Sequence, residues 1–139
     1  MIEGTGKDAF FGGYVLRDSD KKTPDVIIAA SGSEVNLAIK AKEELSKDGI
    51  DARVVSMPCM EDFEKQSKAY KKSVFPESVT ARVAVEAGST MPWYKYVGLK
   101  GEIVGIDEFG ASAPAAKLFE KYGFTVDAVV AAAKKTLNK

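Results

Sequence analysis

The sequence predicts an α/β protein, a three-layer domain built on a five-stranded, mostly parallel sheet with one antiparallel edge strand. Three observations carry this. Four apolar runs, DVIIAA, ARVVSM, ARVAVEAG and EIVGID, recur along the chain, separated by stretches of helical period. The first of them, DVIIAA, is continuous rather than alternating, as expected of a parallel strand covered on both faces. An earlier short run, YVLRD, is followed by a loop and no crossover helix, so it pairs as an antiparallel edge.

Residues 1–12, rich in glycine and without a usable period, are expected to form an arm or interdomain linker, and residues 13–139 the domain. Tyr14–Asp18 is the edge strand, Ser19–Pro24 a loop, and Asp25–Ala30 the first core strand. From Glu34 to Asp48 the period becomes helical. Val35, Ala38, Ile39, Ala41 and Leu45 form the inward stripe, and Lys40, Lys42, Glu43, Glu44 and Lys47 the solvated face. Ser33 suits the N-cap and Gly49 the C′ position. Ala52–Met57 is the next strand, and a strand–helix–strand unit of this length implies a right-handed crossover.

MEDFEKQ and KAYKKSVF are expected as two short helices parted by Ser67, the second ended by Pro76. Ala81–Gly88 is the third core strand, Pro92–Gly98 a short helix opened by proline, and Glu102–Asp107 the last strand. APAAKLFEKYG and TVDAVVAAAKKTL close the chain as helices, the latter capped by Thr125.

Composition narrows the chemistry. Twenty basic and twenty acidic residues cancel, leaving no electrostatic footprint for nucleic acid or an anionic membrane. The longest unbroken apolar run, Ala128–Ala133, is far too short to span a bilayer, and no secretory signal pattern is visible. The single cysteine, Cys59, fits a reducing cytoplasm. There is no histidine, which rules out Ser-His and Cys-His nucleophile pairs within the chain and argues against autonomous catalysis.

The turn at Gly32 and Ser33 lies where a strand ends and a helix begins, a place that can hold an anion. It lacks the further glycines of a dinucleotide turn and the Gly-Lys-Ser/Thr of a P-loop. Glu34 in the first turn already complements the helix dipole and repels phosphate. The turn therefore reads as structural, with at most weak anion binding. Glu86 and Asp107 end two core strands and face one crevice; they suit acid–base work or a hard cation, or accept hydrogen bonds in a structural network. The structural role fits better, because no histidine or basic motif completes a site.

Cys59 in MPCMEDF reads as a thiol at a helix N-cap, with Glu61 and Asp62 offsetting the dipole. Trp93, Tyr94 and Tyr96 cluster on a short helix, where neighbouring side chains diverge by about 100°. Trp93 serves either the core or an interface, and the face carrying Trp93 and Tyr94 is expected to be partly exposed and covered by another domain or subunit.

The strings ASGSEV, RVVSMP, FEKQ, ARVAVEAG, WYKYVG and IDEFGASAPA, in this order and spacing, closely resemble the carboxyl-terminal domain of transketolase, from about Gly13 to Leu137. The E1 components of 2-oxoacid dehydrogenases and 1-deoxyxylulose-5-phosphate synthase share the fold, but Trp-x-Lys-Tyr-Val-Gly and Phe-Gly-x-Ser-Ala-Pro favour transketolase. Cys59 stands where the family more often has serine, and the residues just before Trp93 also depart from it.

The resemblance implies a five-stranded mixed sheet and a parent enzyme that moves a two-carbon ketol unit between sugar phosphates in the pentose phosphate pathway. Thiamine diphosphate and a divalent cation (Mg or Ca) would belong to the two preceding domains, with which this chain would pack, and to the second subunit of a homodimer. By the same resemblance this chain holds no catalytic, cofactor or metal residue, is inactive alone, and serves docking or dimer support. The alternative is a free-standing α/β module that binds a small anion through Gly32, Ser33 and the Glu86–Asp107 crevice.

Overall fold

A computed structural model describes residues 11–31, 34–86, 93–98, 100–105 and 125–138. Within them lie strands β1 (Tyr14–Arg17), β2 (Val26–Ala30), β3 (Ala52–Ser56), β4 (Arg82–Glu86) and β5 (Glu102–Gly105). The helices are α1 (Val35–Lys47), α2 (Met60–Glu64), α3 (Lys68–Val74), α4 (Tyr94–Val97) and α5 (Val126–Leu137). The helix expected over 113–123 lies outside the described residues, as do the arm through residue 10 and the ends of the last two expected strands.

The five strands form one sheet in the order β1-β3-β2-β4-β5. β1 runs antiparallel to β3, and the remaining pairs are parallel. The edge strand thus behaves as expected, with a register shift between Val15 and Arg17 that leaves Leu16 as the extra residue. Such a bulge twists an edge and discourages pairing with another chain.

Every residue of β2 and β3 is buried, which is why these runs are apolar except for Arg53 and Ser56 of β3. Side-chain alternation then divides the core in two. Val26, Ile28, Ala30, Val54, Val83 and Val85 meet α1 and α5 on one face through Ala38, Ala41, Leu45, Val129 and Ala133. Ile27, Ala29, Val55 and Ala84 face the other way, onto Phe63, Phe75, Trp93 and Tyr96 from α2, the loop after α3, and the turn and helix of α4.

Helix ends follow local chemistry. α1 ends in a Schellman motif: the Gly49 N–H donates to Ser46 O, the Ile50 N–H to Leu45 O, and Gly49 adopts φ +76°. Ser67 and Thr125 cap α3 and α5, accepting from the Tyr70 and Ala128 N–H groups. α1 begins one residue later than expected, with Glu34 rather than Ser33 at the N-cap. Lys42, expected to be solvated, is half-buried, and its amine donates to Ala52 O at 2.7 Å.

Candidate functional site

α1, which follows β2, packs on one face of the sheet and α4, which follows β4, on the other, so the topological switch point lies between β2 and β4. Open α/β sheets bind ligands outside the carboxyl ends of their strands at such a point. Here those ends present Ser31 and Glu86. One carboxylate oxygen of Glu86, Oε1, accepts from the Ser31 hydroxyl at 3.1 Å and from the Trp93 indole N–H at 3.0 Å. The protein's own side chains thus meet at the switch point, and Glu86 ties the end of β2 to the start of α4.

Trp93 corrects the expectation of partial exposure: it is 0% exposed. The reason is geometric. The indole lies over the sheet beside Ala84, stacked edge-on against Tyr96 at 6.1 Å, and its one polar atom is satisfied by Glu86. A buried tryptophan with a satisfied N–H belongs to the core, and Trp93 offers no surface anchor in this chain. α4 includes Tyr94, whose side chain lies outside the described residues. Gly32, Ser33 and Asp107 also lie outside them, so neither the anion turn nor the carboxylate pair is defined by geometry.

Cys59 does occupy the N-cap of α2, in extended conformation, but its thiol makes no capping hydrogen bond. Its backbone carries the structure instead: the N–H donates to Gly12 O and the carbonyl accepts from the Phe63 N–H.

A second cluster joins three helices. Glu64, at the end of α2, receives the Lys95 amine on Oε1 and the Tyr96 hydroxyl on Oε2, both at 2.7 Å, with the Lys71 amine at 3.6 Å. The Lys95 and then the Tyr96 hydrogen bonds hold the Glu64 carboxyl below its usual range. Burial first, then the same carboxylate, pushes the Tyr96 phenol well above its own.

The charged residues that interrupt apolar strands prove to be the organising cations of this face. Arg53 and Arg82 stand on either side of Ile27 in register. Arg53 donates to Ser73 O and Val74 O, and to Asp18 at 2.8 Å. Burial raises the Asp18 carboxyl, but Arg53 and the Ser19 N–H outweigh it and hold the group below the usual range. Arg82 donates to Phe75 O, Pro76 O, Val79 O and Tyr96 O. Two guanidiniums thus satisfy the four consecutive carbonyls 73–76 at the end of α3, where the helix dipole is negative. Sequence reasoning missed both; an arginine opening an otherwise apolar core strand is the signal that could have found them.

Two surface depressions flank Arg82, of about 370 Å³ beside Thr80, Val97 and Lys100 and about 230 Å³ beside Lys71, Lys72 and Lys95. In the second the lysines already face carboxylates: Lys71 and Lys95 meet Glu64, and Lys72 meets Glu77. Among the described residues no three carboxylates or thiols are grouped to hold a metal ion. No described helix is long and apolar enough to cross a membrane. The sequence has no histidine and no Gly-Asp-Gly string.

The family model for the transketolase-like TK C-terminal domain matches residues 12–125. Transketolase 1 of Escherichia coli (strain K12) is 60% identical over 126 residues, covering 91% of this chain and 19% of that protein. The solved transketolase from Leishmania mexicana superposes with a TM-score of 0.87 at 38% identity, covering 97% of this chain and 19% of the other. A solved split-gene transketolase, described as an inactive beta4 tetramer, gives a TM-score of 0.65 at 27% identity over 91% of this chain and 42% of its own. The chain thus spans about a fifth of the length of the curated relatives it matches.

Proposed function

Because this chain belongs to the transketolase family, as its carboxyl-terminal domain, we propose that it is the docking and dimer-supporting part of a thiamine-diphosphate-dependent enzyme. That enzyme would transfer a two-carbon ketol unit between sugar phosphates in the pentose phosphate pathway. The cofactor and its divalent cation would be held by the two preceding domains of a homodimer, and residues 1–12 would serve as the tether to them. The chain alone would be inactive and would bind neither nucleic acid nor membrane. The one unpaired thiol, Cys59, fits a cytoplasmic setting.

The observation that carries this reading is the state of Glu86. It is the described carboxylate best placed for chemistry, at the switch point, and its Oε1 is engaged by Ser31 and Trp93. A carboxylate spent on joining β2 to α4 supports a structural role. The Gly32–Ser33 turn is proposed to hold anions weakly or not at all, because Glu34 follows it at the start of α1 and competes for that helix end. The solved split-gene relative described as inactive supports the inactivity of this part by itself.

Calorimetric titration of the chain with thiamine diphosphate and magnesium should give no heat of binding, and ketol transfer should stay at background. Mixing the chain with a separately made amino-terminal half should restore transfer. Saturable cofactor binding by the chain alone overturns the reading. Tight phosphate binding without complementation would favour the free-standing anion module instead.

A further inference from the structure

The segment just before β1 is seated more firmly than a linker requires. Gly12 and Gly13 are both buried. The Gly12 carbonyl accepts from the Cys59 N–H at 3.0 Å, and the Gly13 carbonyl from the Tyr70 hydroxyl at 2.7 Å. The Phe11 ring packs edge-on against Tyr70, with centroids 5.0 Å apart. Both glycines are compelled by space. A methyl group on Gly12 would overlap the Cys59 carbonyl oxygen and the Phe63 amide nitrogen, both backbone atoms. One on Gly13 would overlap the Met57 sulfur and the Phe63 ring. Gly12 also has φ +80°, where side chains other than glycine are strained.

The receiving surface is rigid. Tyr70 belongs to α3, whose terminal carbonyls are gripped by Arg53 and Arg82 from the sheet. Cys59 is the N-cap of α2. The strap meets this corner through the Gly12–Cys59 and Gly13–Tyr70 hydrogen bonds and the Phe11–Tyr70 ring contact, local contacts that can open while the sheet stays closed.

We propose that Phe11–Gly13 form a locked strap, seated on the corner between α2 and α3, that fixes the point at which the preceding chain leaves the domain and opens without unfolding the sheet. Its purpose rests on the reading of the chain as one part of a larger enzyme. A preceding domain would then be aimed by the α2–α3 corner rather than carried on a free linker.

Site-resolved amide exchange on the full 139-residue chain tests the lock directly. The Cys59 amide reports the strap, and the Ile27 and Met57 amides, bonded to Ala81 O and Ala30 O, report the sheet. Gly12→Ala should accelerate Cys59 exchange by about tenfold or more. Tyr70→Phe, which keeps the ring and removes one hydrogen bond, should do so by roughly two- to tenfold. The Ile27 and Met57 rates should stay unchanged in both, and chymotrypsin should cut after Phe11 faster in the same order.

Unchanged Cys59 exchange in both variants overturns the proposal. So does acceleration of Cys59 together with the sheet amides in Tyr70→Phe, which would make the strap inseparable from the core. If Gly12→Ala unfolds the chain, Tyr70→Phe decides on the same readout. These rates are independent of cofactor and complementation, so failure of the strap and failure of the proposed function are told apart.

Discussion

Replacing Trp93 with alanine separates two roles that the aromatic cluster suggests. Trp93 has no exposed surface, lies in the cluster with Ile27, Phe63, Phe75 and Tyr96, and donates its indole N–H to Glu86 at 3.0 Å. Truncating a fully buried aromatic costs about 3–5 kcal/mol through lost contacts and the cavity left behind. Part of that is the hydrogen bond to Glu86, worth about 1.5–3 kcal/mol, so Trp93→Phe should lose at least roughly that much while keeping most of the ring packing. For a domain of this size each kcal/mol moves Tm by roughly 3–5 °C, so the alanine variant should melt about 10–25 °C lower. Urea unfolding followed by circular dichroism measures the loss, and sedimentation velocity on the same samples reads self-association. A loss below about 1 kcal/mol in Trp93→Ala, accompanied by altered self-association, would refute the core assignment and return Trp93 to an interface.

Arg82→Met should destabilise the domain by about 2–4 kcal/mol, because the carbonyls of Phe75, Pro76, Val79 and Tyr96 each lose a charged donor; chemical denaturation measures it, and Arg82→Lys should recover only part of the loss. Cys59→Ser should stabilise by about 0.5–1 kcal/mol, since a hydroxyl supplies the capping acceptor that the thiol does not; an unchanged or lower melting temperature would count against the cap geometry. The folded Glu64 carboxyl is held below its unfolded range near 4.3, so its stabilisation is present above that pH and is lost as pH falls through the folded value. The folded Tyr96 phenol is raised, so its contribution is intact below about pH 10 and is lost as pH climbs beyond it. Glu64→Gln should flatten the acid limb of a stability–pH curve and Tyr96→Phe the alkaline limb; limbs that keep their slopes would remove this cluster from the account.

The sequence by itself determined the class of the fold and the identity of most elements, because those follow from local chemistry. Apolar runs specified buried parallel strands, and β2 and β3 are buried along their whole length. Gly49 could be read as a helix stop because only a residue at ease with positive φ closes a Schellman motif without strain. Ser67 and Thr125 could be read as boundary residues because a hydroxyl at that point accepts from an orphan N–H of the first turn.

What only the tertiary structure decided involves groups far apart in the chain. Trp93 reads equally as core or interface until Glu86 and Ser31, 7 residues away from it and 55 from Glu86 respectively, are brought to one switch point. Arg53 and Arg82 look like surface charges in sequence, because charge favours solvent unless partners exist. Here the partners are carbonyls of residues 73–76, 79 and 96, supplied by a helix end and loops that the sheet order lays across both arginines. The seat of Gly12 and Gly13 is of the same kind. A glycine pair signals freedom when read alone, and becomes a constraint only when Cys59, Phe63 and Met57 close around it. Local propensity is encoded within a few residues, whereas the satisfaction of a buried charge or the space left for a side chain is set by the packing of distant elements.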